Sequence, residues 1–325
     1  MLSGLGILAI ALLTIAGAAL DMMLGETRRW HPLVGFGSVA SRLERRLNPH
    51  SSDSVKQTQT PRHMTILRGT LAWMLAVLPP VLAVVLILQV LPTIAALAVH
   101  AILLYLCLGL RSLRDHTVPI AQALADGELA AARNLTSRIV SRDTDNASPA
   151  DLSKAAVESL LENGNDAVFG TLFWFAIAGA PGAVLFRLAN TLDAMWGYRS
   201  TRYNLFGRVA ARIDDLLNWI PARLTAVSYA TLGHTQLAFR CWRTQAAAWP
   251  SPNAGPVMSA GAGTLGLALG GAATYDGVSE IRPPLGSGTV ATFTDIRRAW
   301  QLVLRTTLLW LAILLVWAVI FTQKG

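Results

Sequence analysis

Acidic, amide and arginine side chains are concentrated between residues 142 and 224, at spacings that suit chemistry on phosphates. The run Ser148-Pro149-Ala150-Asp151 predicts the start of a helix, with serine as the N-cap and an acidic side chain three residues later. On that helix Glu158 and Glu162 are four residues apart and share a face, where like charges repel. The pair needs a cation, an arginine or water beside it, and the interpretation as a solvated helix face stays open at this point.

Oxygen donors continue directly after this pair. Asn163 and Asp166 add an amide and a further carboxylate close behind Glu162. A few carboxylates combined with phosphate oxygens form the ligand set that Mg²⁺ prefers. The stretch therefore suits a phosphate-bearing substrate that is held through magnesium.

A second polar run lies between residues 190 and 224. It begins with Asn190 and Asp193 and continues as a helix predicted over 206–219, which Pro221 is expected to end. The other polar side chains of this run are Arg199, Arg208, Arg212, Asp214, Asp215, Asn218 and Arg223. One ion pair on a wet helix surface would mean little. The combination of aspartates, asparagines and arginines beside apolar blocks indicates a magnesium-bridged, phosphate-rich substrate.

Uncharged apolar blocks set the architecture that must position these residues. The 325 residues are 53% hydrophobic and 14% charged, whereas soluble domains carry about 25% charged residues. A transmembrane helix needs about 20 mostly apolar residues, and uncharged blocks occur at 1–20, 69–110, 167–186, 244–275 and 306–323. We therefore expect an all-α polytopic membrane protein, with about four to six transmembrane or re-entrant helices plus cytoplasmic helical segments.

Arginines assign the segments between these blocks to one side of the membrane. Of 27 cationic residues only three are lysine, and the formal net charge is +8. The positive-inside rule places the basic segments in the cytoplasm. Because two of them flank 167–187, we expect that block to be broken at Ala180-Pro181-Gly182-Ala183 and to return to the same side. The predicted segments of this single membrane-embedded domain (1–325) are a first span (1–24), a cytoplasmic basic loop (25–65), a hairpin of two spans (66–113), a cytoplasmic helical segment (114–166), a broken or re-entrant segment (167–187), a polar active-site segment (188–243), a Gly/Ala-rich membrane-associated segment (244–275) and a C-terminal span (302–321).

Several other classes of protein find no support in the sequence. Cys107 and Cys241 cannot form a disulfide framework, and no His/Cys cluster has zinc spacing. A P-loop motif is absent, and the G-x-G-x-x-G pattern at 261–266 follows no strand-like run. No basic run is interleaved with aromatic residues, so nucleic acid is not an expected partner.

These motifs together resemble the CbiB/CobD family of cobalamin-biosynthesis membrane proteins, the adenosylcobinamide-phosphate synthases, over nearly the whole chain. The matching elements are Arg142-Asp143-Thr144, the E-x-x-x-E-N-x-x-D stretch from Glu158 to Asp166, Asn190 through Arg199, Phe206 to Leu224, Ser251 through Gly255, Gly270-Gly271 with Tyr275, and Asp21, Gly25, His31 and Pro32 near the N-terminus. The departures are Ser141 for glycine, Thr171 for proline, Ala194 for serine and Arg199 for lysine. None of them removes a carboxylate or amide of the central motifs.

The resemblance implies an amide ligation in cobalamin biosynthesis. Adenosylcobyric acid, a corrinoid, would be joined to aminopropanol or aminopropanol phosphate with ATP as co-substrate and Mg²⁺ as metal. The catalytic candidates are Glu158, Glu162, Asp193, Asp214 and Asp215. The metal-ligand candidates are Glu162, Asp166, Asp193, Asp214 and Asp215. The candidates for binding substrate or phosphate are Arg142, Asn163, Asn190, Arg199, Arg208, Arg212, Asn218, Arg223, Asn253 and Tyr275.

Two other functions compete with this one. The AmpE-like proteins of β-lactamase regulation share the overall pattern, which leaves a non-catalytic membrane sensor as an alternative, and a corrinoid transporter is another. The expected location is the bacterial inner membrane, with lipid around the spans and the active site facing the cytoplasm. A homo-oligomer, an assembly with other cobalamin enzymes and the choice between free and phosphorylated amino alcohol are left open.

Overall fold

The computed structural model describes residues 4–27, 31–51 and 60–323, and it is predominantly helical. Its α-helices are α1 Ile7–Leu24, α2 Pro32–Leu47, α3 Arg62–Val90, α4 Thr93–Cys107, α5 Leu110–Ala125, α6 Leu129–Ser137, α7 Pro149–Gly164, α8 Gly170–Trp196, α9 Arg208–Thr231, α10 Thr235–Gln245, α11 Ala254–Leu265 and α12 Phe293–Thr322. A π-helical turn, Asn165–Phe169, joins α7 to α8, and a 3₁₀ turn, Ala246–Ala248, follows α10. The strands are β1 Leu267–Tyr275, β2 Val278–Gly286 and β3 Thr289–Val290.

Five helical stretches in the described residues are long and apolar enough to cross a membrane. They are Ile7–Leu24, Arg62–Val90, Thr93–Ala125, Pro149–Trp196 and Phe293–Thr322. This confirms the expected class, a multi-pass helical membrane protein. The break within the hairpin falls at 91–92, where Pro92 stands at the N-cap of α4.

The chain divides into two compact units, although the sequence analysis treated it as a single domain. The first unit comprises the described residues within 1–108, 170–217 and 318–325, and the second those within 109–169 and 218–317. Each unit is assembled from separate stretches of the chain. No linker or change of composition therefore marks the boundary in the sequence.

In the first unit, α8 is interrupted one residue before the predicted break. Gly179 has φ 63° and ψ −150°, a backbone conformation that favours glycine. The amide of Ala180, which begins the next helical stretch, donates to Nδ1 of the buried His100 at 2.9 Å. Thus the imidazole ring satisfies a backbone donor that the break exposes.

In the second unit, the predicted start of α7 is confirmed. Ser148 Oγ accepts from the amide of Asp151 at 3.2 Å, and the Asp151 carboxylate accepts from the amide of Ser148 at 3.3 Å. This reciprocal capping box fixes where α7 begins.

The second unit also contains a small sheet that the all-α expectation missed. Strand β1 pairs antiparallel with β2 and parallel with β3. A bulge at Gly270-Gly271, both with positive φ, bends β1. The predicted membrane-associated segment 244–275 is thus largely α11 and β1, and α11, with 12 residues, is too short for a span.

Two further segments differ from expectation in their helical content. The predicted basic loop 25–65 contains α2, and its residues 28–30 and 52–59 lie outside the described part of the chain. Helix α9 continues through Pro221, which was expected to end it. Proline cannot donate to the carbonyl four residues earlier, that of Leu217. The indole N–H of Trp174 donates to this oxygen at 3.0 Å instead, so the helix continues.

Candidate functional site

Three aspartates come together in the first unit, between the end of α8 and the beginning of α9. Asn190 and Asp193 project from α8 at i, i+3 spacing, and Asp214 and Asp215 lie on α9. Asn190 Nδ2 donates to Asp214 Oδ1 at 3.2 Å. The charges of Asp214 and Asp215 act on Asp193. The structure therefore brings together four residues that the sequence analysis selected from two separate motifs.

Arginines flank this carboxylate group. The charges of Arg212 and Arg199 act on Asp215. Burial raises the pKa of Asp215 above its ordinary value, and the two guanidinium groups oppose that rise without cancelling it. Arg208 is exposed at the first residue of α9, one turn before Arg212. Cations beside partly buried carboxylates suit the binding of a metal-bridged polyphosphate.

The loop 197–207 that carries Arg199 is fixed by an ion pair between the exposed Arg202 and the buried Glu44. The guanidinium of Arg202 donates to both oxygens of Glu44, at 3.0 and 2.6 Å. Asn48 Nδ2 donates to Glu44 Oε1 at 2.8 Å and to the carbonyl of Arg202 at 2.9 Å. Neither Glu44 on α2 nor Asn48 at the C-cap of that helix was predicted as a positioning residue. Their i, i+4 spacing in a basic helix was the available signal.

In the second unit, the π-helical turn presents a buried amide, Asn165, that the sequence analysis also missed. Its Nδ2 donates to Asn218 Oδ1 at 2.8 Å and to Asp166 Oδ1 at 2.9 Å. Its Oδ1 accepts from Thr225 Oγ1 at 3.1 Å. Asn165 and Asn218 are 2% and 1% exposed. This network orients Asp166 and Asn218, and π-helical turns of this kind are frequent at functional sites.

The neighbouring members of the E-x-x-x-E-N-x-x-D motif have different surroundings. Asn163 Nδ2 donates to the carbonyl and hydroxyl oxygens of Ser159 on its own helix, at 2.9 and 3.1 Å. Glu162 is half-buried. Burial raises the pKa of the Tyr229 hydroxyl, and the charge of Asp166 adds to the rise. Tyr229 therefore keeps its proton and donates to the carbonyl of Leu161 at 3.2 Å.

Arg223 and Asn253, 30 residues apart, are bound to each other. Arg223 Nη1 donates to Asn253 Oδ1 at 2.6 Å, and its Nη2 donates to the carbonyl of Pro252 at 3.0 Å. The guanidinium stacks on the ring of Trp219, 4.7 Å from its centroid. Burial lowers the pKa of Arg223. The arrangement holds the turn that begins α11 and fixes the direction of this arginine.

Glu158, a catalytic candidate, lies in a buried ion-pair cluster. Its carboxylate is paired with Arg142 and accepts from Arg282 Nη1 at 2.8 Å and from the amide of Gly270 at 2.8 Å. Glu158 is 2% exposed. Burial lowers the pKa of Arg282, but hydrogen bonding and charge from Glu158, with a smaller contribution from Tyr275, raise it overall. The geometry gives Glu158 and Arg142 a role in joining α7 to the sheet.

A cavity of about 410 Å³ lies beside this cluster, in the second unit. The 142–147 loop is pinned to the β1–β2 hairpin, since the amide of Asp143 donates to the carbonyl of Thr274 at 2.8 Å and Asp143 Oδ2 accepts from the amide of Gly277 at 2.7 Å. The polar lining includes Arg142, Asp143, Asp145, Lys154, Thr274 and Ser279. The segments 142–147 and 272–274, which are far apart in the sequence, thus meet at one polar cavity.

The carboxylates of the first unit offer part of the ligand set of a metal ion. Among residues 4–27, 31–51 and 60–323, no three His, Cys, Asp or Glu side chains are grouped so that they could hold a metal by themselves. Mg²⁺ is commonly held by one or two carboxylates plus substrate phosphates. Asp193 with Asp214 or Asp215 offers donors of that chemistry, so the group fits magnesium that arrives with a nucleotide.

Comparison with known proteins shows similarity along nearly the whole chain. The family model described as "CobD/Cbib protein" matches residues 14–303. A cobalamin biosynthesis protein CobD from Stutzerimonas stutzeri is 52% identical over 95% of this chain and 98% of its own length. The protein of the same name from Chromobacterium violaceum is 51% identical over 93% of this chain and 94% of its own length. The one from Mycobacterium tuberculosis is 36% identical over 88% of this chain and 88% of its own length. No solved structure matches the chain.

Proposed function

The chain belongs to the CobD/Cbib protein family, and from this premise we propose that it is a cobalamin-biosynthesis enzyme that forms an amide bond. Its substrates in this proposal are adenosylcobyric acid and aminopropanol or aminopropanol phosphate, with ATP as the co-substrate. The observation that carries the proposal is the group of Asp193, Asp214 and Asp215 with Arg199 and Arg212 beside it. An ATP-dependent ligase, unlike a sensor or carrier, must stabilise the charge of a transferring phosphoryl group, and these carboxylates and arginines suit that task.

The chemistry of amide formation explains why such a group is needed. A carboxylate is a poor acyl electrophile, so its oxygen first attacks the γ-phosphorus of ATP. A new O–P bond forms, the bond to the β-phosphate oxygen breaks, and ADP leaves. The amine then attacks the acyl carbon, the C–O bond to phosphate breaks, and the amine loses a proton. Each step moves negative charge that fixed cations stabilise.

The residues of the first unit have distinct roles in this scheme. Asp193 with Asp214 or Asp215 would hold Mg²⁺, which supplies Lewis-acid stabilisation of the phosphate oxygens when bound. Arg199 and Arg212 would bind phosphate oxygens in pairs through their planar guanidinium groups. The Asn190 amide keeps the Asp214 carboxylate oriented through its hydrogen bond of 3.2 Å.

The residues of the second unit would bind and orient substrate. The Asn165 network fixes Asn218 and Asp166, and Arg223 is held in one direction by Asn253. Amide groups of fixed orientation suit hydrogen bonding to the carboxamide side chains of a corrinoid. In this proposal these residues select the acid substrate.

The membrane placement is part of the same proposal. Basic residues between the spans favour the bacterial inner membrane with the site on the cytoplasmic side, where ATP is available. Labelling of Arg208→Cys with a membrane-impermeant thiol reagent tests this in vesicles of known orientation. Modification only from the cytoplasmic face supports the placement, and modification only from the outer face contradicts it.

The decisive experiment uses the purified full-length protein in detergent. It is supplied with adenosylcobyric acid, ATP, Mg²⁺ and either amine, while the corrinoid is followed by mass and the nucleotide by phosphate release. We expect a new amide with coupled cleavage of ATP. We expect Asp214→Asn and Asp215→Asn each to lower kcat by at least about 100-fold, the usual cost of losing a group that stabilises transition-state charge.

A matched control separates chemistry from folding. Asp126→Asn alters an exposed aspartate at the end of α5 whose carboxylate accepts from Gln122, and it should keep wild-type turnover. Full activity in both active-site variants would refute the assignment of the carboxylates. A folded wild-type protein that forms no amide with either amine would refute the ligase itself.

A further inference from the structure

A cationic pocket lies in the second unit, where one face of α12 meets the turn between α9 and α10. The cavity measures about 300 Å³. Residues 298, 301, 302 and 305 of α12 line it at i, i+3, i+4 and i+7 spacing, which places them on one helix face. The other walls are His234, which is the N-cap of α10, and the end of α11 at 264–265.

The charge in this pocket is positive and incompletely balanced. Arg298 donates to Asp295 at 2.6 Å and to the carbonyl of Leu265 at 2.8 Å. Asp295 is the single acidic residue of α12, and no carboxylate lines the cavity in the described part of the chain. Within the same part, the side chains of Arg305 and His234 form no hydrogen bond or ion pair. Two donors therefore face the cavity beside the positive end of the α10 helix dipole.

The position of Arg305 along α12 indicates how deep the pocket lies relative to a membrane. It is the last charged residue before the uncharged stretch 306–323, which is apolar and about long enough to span. Arg305 therefore lies where the span meets the headgroup region. Basic pockets beside transmembrane helices at this depth bind anionic headgroups.

We propose that this pocket binds a phosphate group, held by Arg305 and Arg298 with His234 and Gln301 as further donors. The chemistry is shared by two sources: the headgroup of an anionic phospholipid, and a soluble phosphate or phosphate ester. The position at the membrane interface favours the lipid. The site is separate from the proposed ligase site, because none of its residues is among those assigned to metal, phosphate or substrate above.

The test compares lipid retention by the full-length protein and its variants. Wild type, Arg305→Gln and Arg305→Lys are placed in nanodiscs of phosphatidylcholine with one-fifth phosphatidylglycerol and then extracted into mild detergent. Bound phosphatidylglycerol is counted by native mass spectrometry. Arg243→Gln, which changes an exposed arginine of α10 outside the cavity, is the matched control. In a second arm, inorganic phosphate is titrated while the thermal midpoint is recorded.

The expected result is about fivefold less retained phosphatidylglycerol in Arg305→Gln, because one arginine near an anionic surface contributes about 1 kcal/mol. Arg305→Lys should lose less, and Arg243→Gln should match wild type. If lipid retention is unchanged but phosphate raises the midpoint of wild type and not of Arg305→Gln, the pocket binds soluble phosphate. Equal lipid retention and equal phosphate response in all variants would overturn the proposal. Arg305→Lys keeps the test informative if Arg305→Gln fails to fold.

Discussion

Replacement of Glu158 by glutamine distinguishes a structural carboxylate from a catalytic one. The substitution keeps the shape of the side chain and an acceptor for the amide of Gly270, which now lies 2.8 Å from Oε1. It removes the negative charge that is shared by Arg142 and Arg282. We therefore expect the main effect of Glu158→Gln to be a loss of stability.

The magnitude follows from the burial of all three side chains. The side chain of Glu158 is 3% exposed, and those of Arg142 and Arg282 are 13% and 12% exposed. Little solvent is available to replace the lost counter-charge. Breaking a buried ion pair from one side costs about 3–5 kcal/mol. At roughly 2–4 °C per kcal/mol for a chain of this order of size, the thermal midpoint should fall by roughly 6–20 °C.

The assay is thermal unfolding of the detergent-solubilised protein, recorded beside turnover at a temperature below both transitions. Glu128→Gln, an exposed glutamate at the N-cap of α6, is the control and should stay within about 0.5 kcal/mol of wild type. The double variant Glu158→Gln/Arg282→Gln should lose less stability than the sum of the single changes, because fewer buried charges are left uncompensated.

One outcome would refute this reasoning. If Glu158→Gln has the midpoint of wild type but no turnover, the carboxylate acts in catalysis and the ion-pair cluster contributes little to stability. Additive losses in the double variant would likewise show that Glu158 and Arg282 are not coupled.

Three further predictions rest on other contacts. Burial raises the pKa of Asp215 in the folded protein against the opposing charge of Arg212. Protonated Asp215 therefore contributes its full stabilisation below the pKa of aspartate in the unfolded chain, about 3.9. This contribution is lost as the pH rises through the pKa of Asp215 in the folded protein. Asp215→Asn should therefore gain thermal stability relative to wild type as the pH is raised from 4, and a constant difference would contradict this. Asn165→Ala leaves the buried Asn218 and Thr225 and the half-buried Asp166 without their amide partner. It should cost about 1–3 kcal/mol in unfolding experiments, and no change in midpoint would argue against the network. Gly207→Ala would drive a methyl group into a backbone carbonyl oxygen and should lower the yield of folded protein, whereas Gly35→Ala, where a Cβ meets nothing within 4 Å, should not.

Features of the fold that depend on local composition could be predicted from the sequence. Uncharged blocks predicted the helical membrane class, and Ser148 with Asp151 predicted the start of α7. The sheet was missed because β1 is built from glycine, alanine and threonine, and its uncharged sequence is also typical of a membrane segment. The division into two units was missed because each unit combines stretches that are distant along the chain.

The candidate site shows the same limit. Residue types identified Asp193, Asp214 and Asp215, and the structure brings them together. Glu158 and Glu162 lie on the same face of α7, so sequence spacing could not distinguish their surroundings. In the structure Glu158 is held by arginines from two other segments. An ion-pair partner 124 residues away, Arg282, leaves no local signal.

Two irregular points in the long helices α8 and α9 show why local rules fail in this chain. Pro221 leaves the carbonyl of Leu217 without its helical donor, and the break at Gly179 leaves the amide of Ala180 without an acceptor. A backbone group that is shielded from water needs a partner from the protein. Both partners are ring nitrogens from distant positions. A proline in such a helix therefore predicts a compensating donor elsewhere in the fold as readily as it predicts the end of the helix.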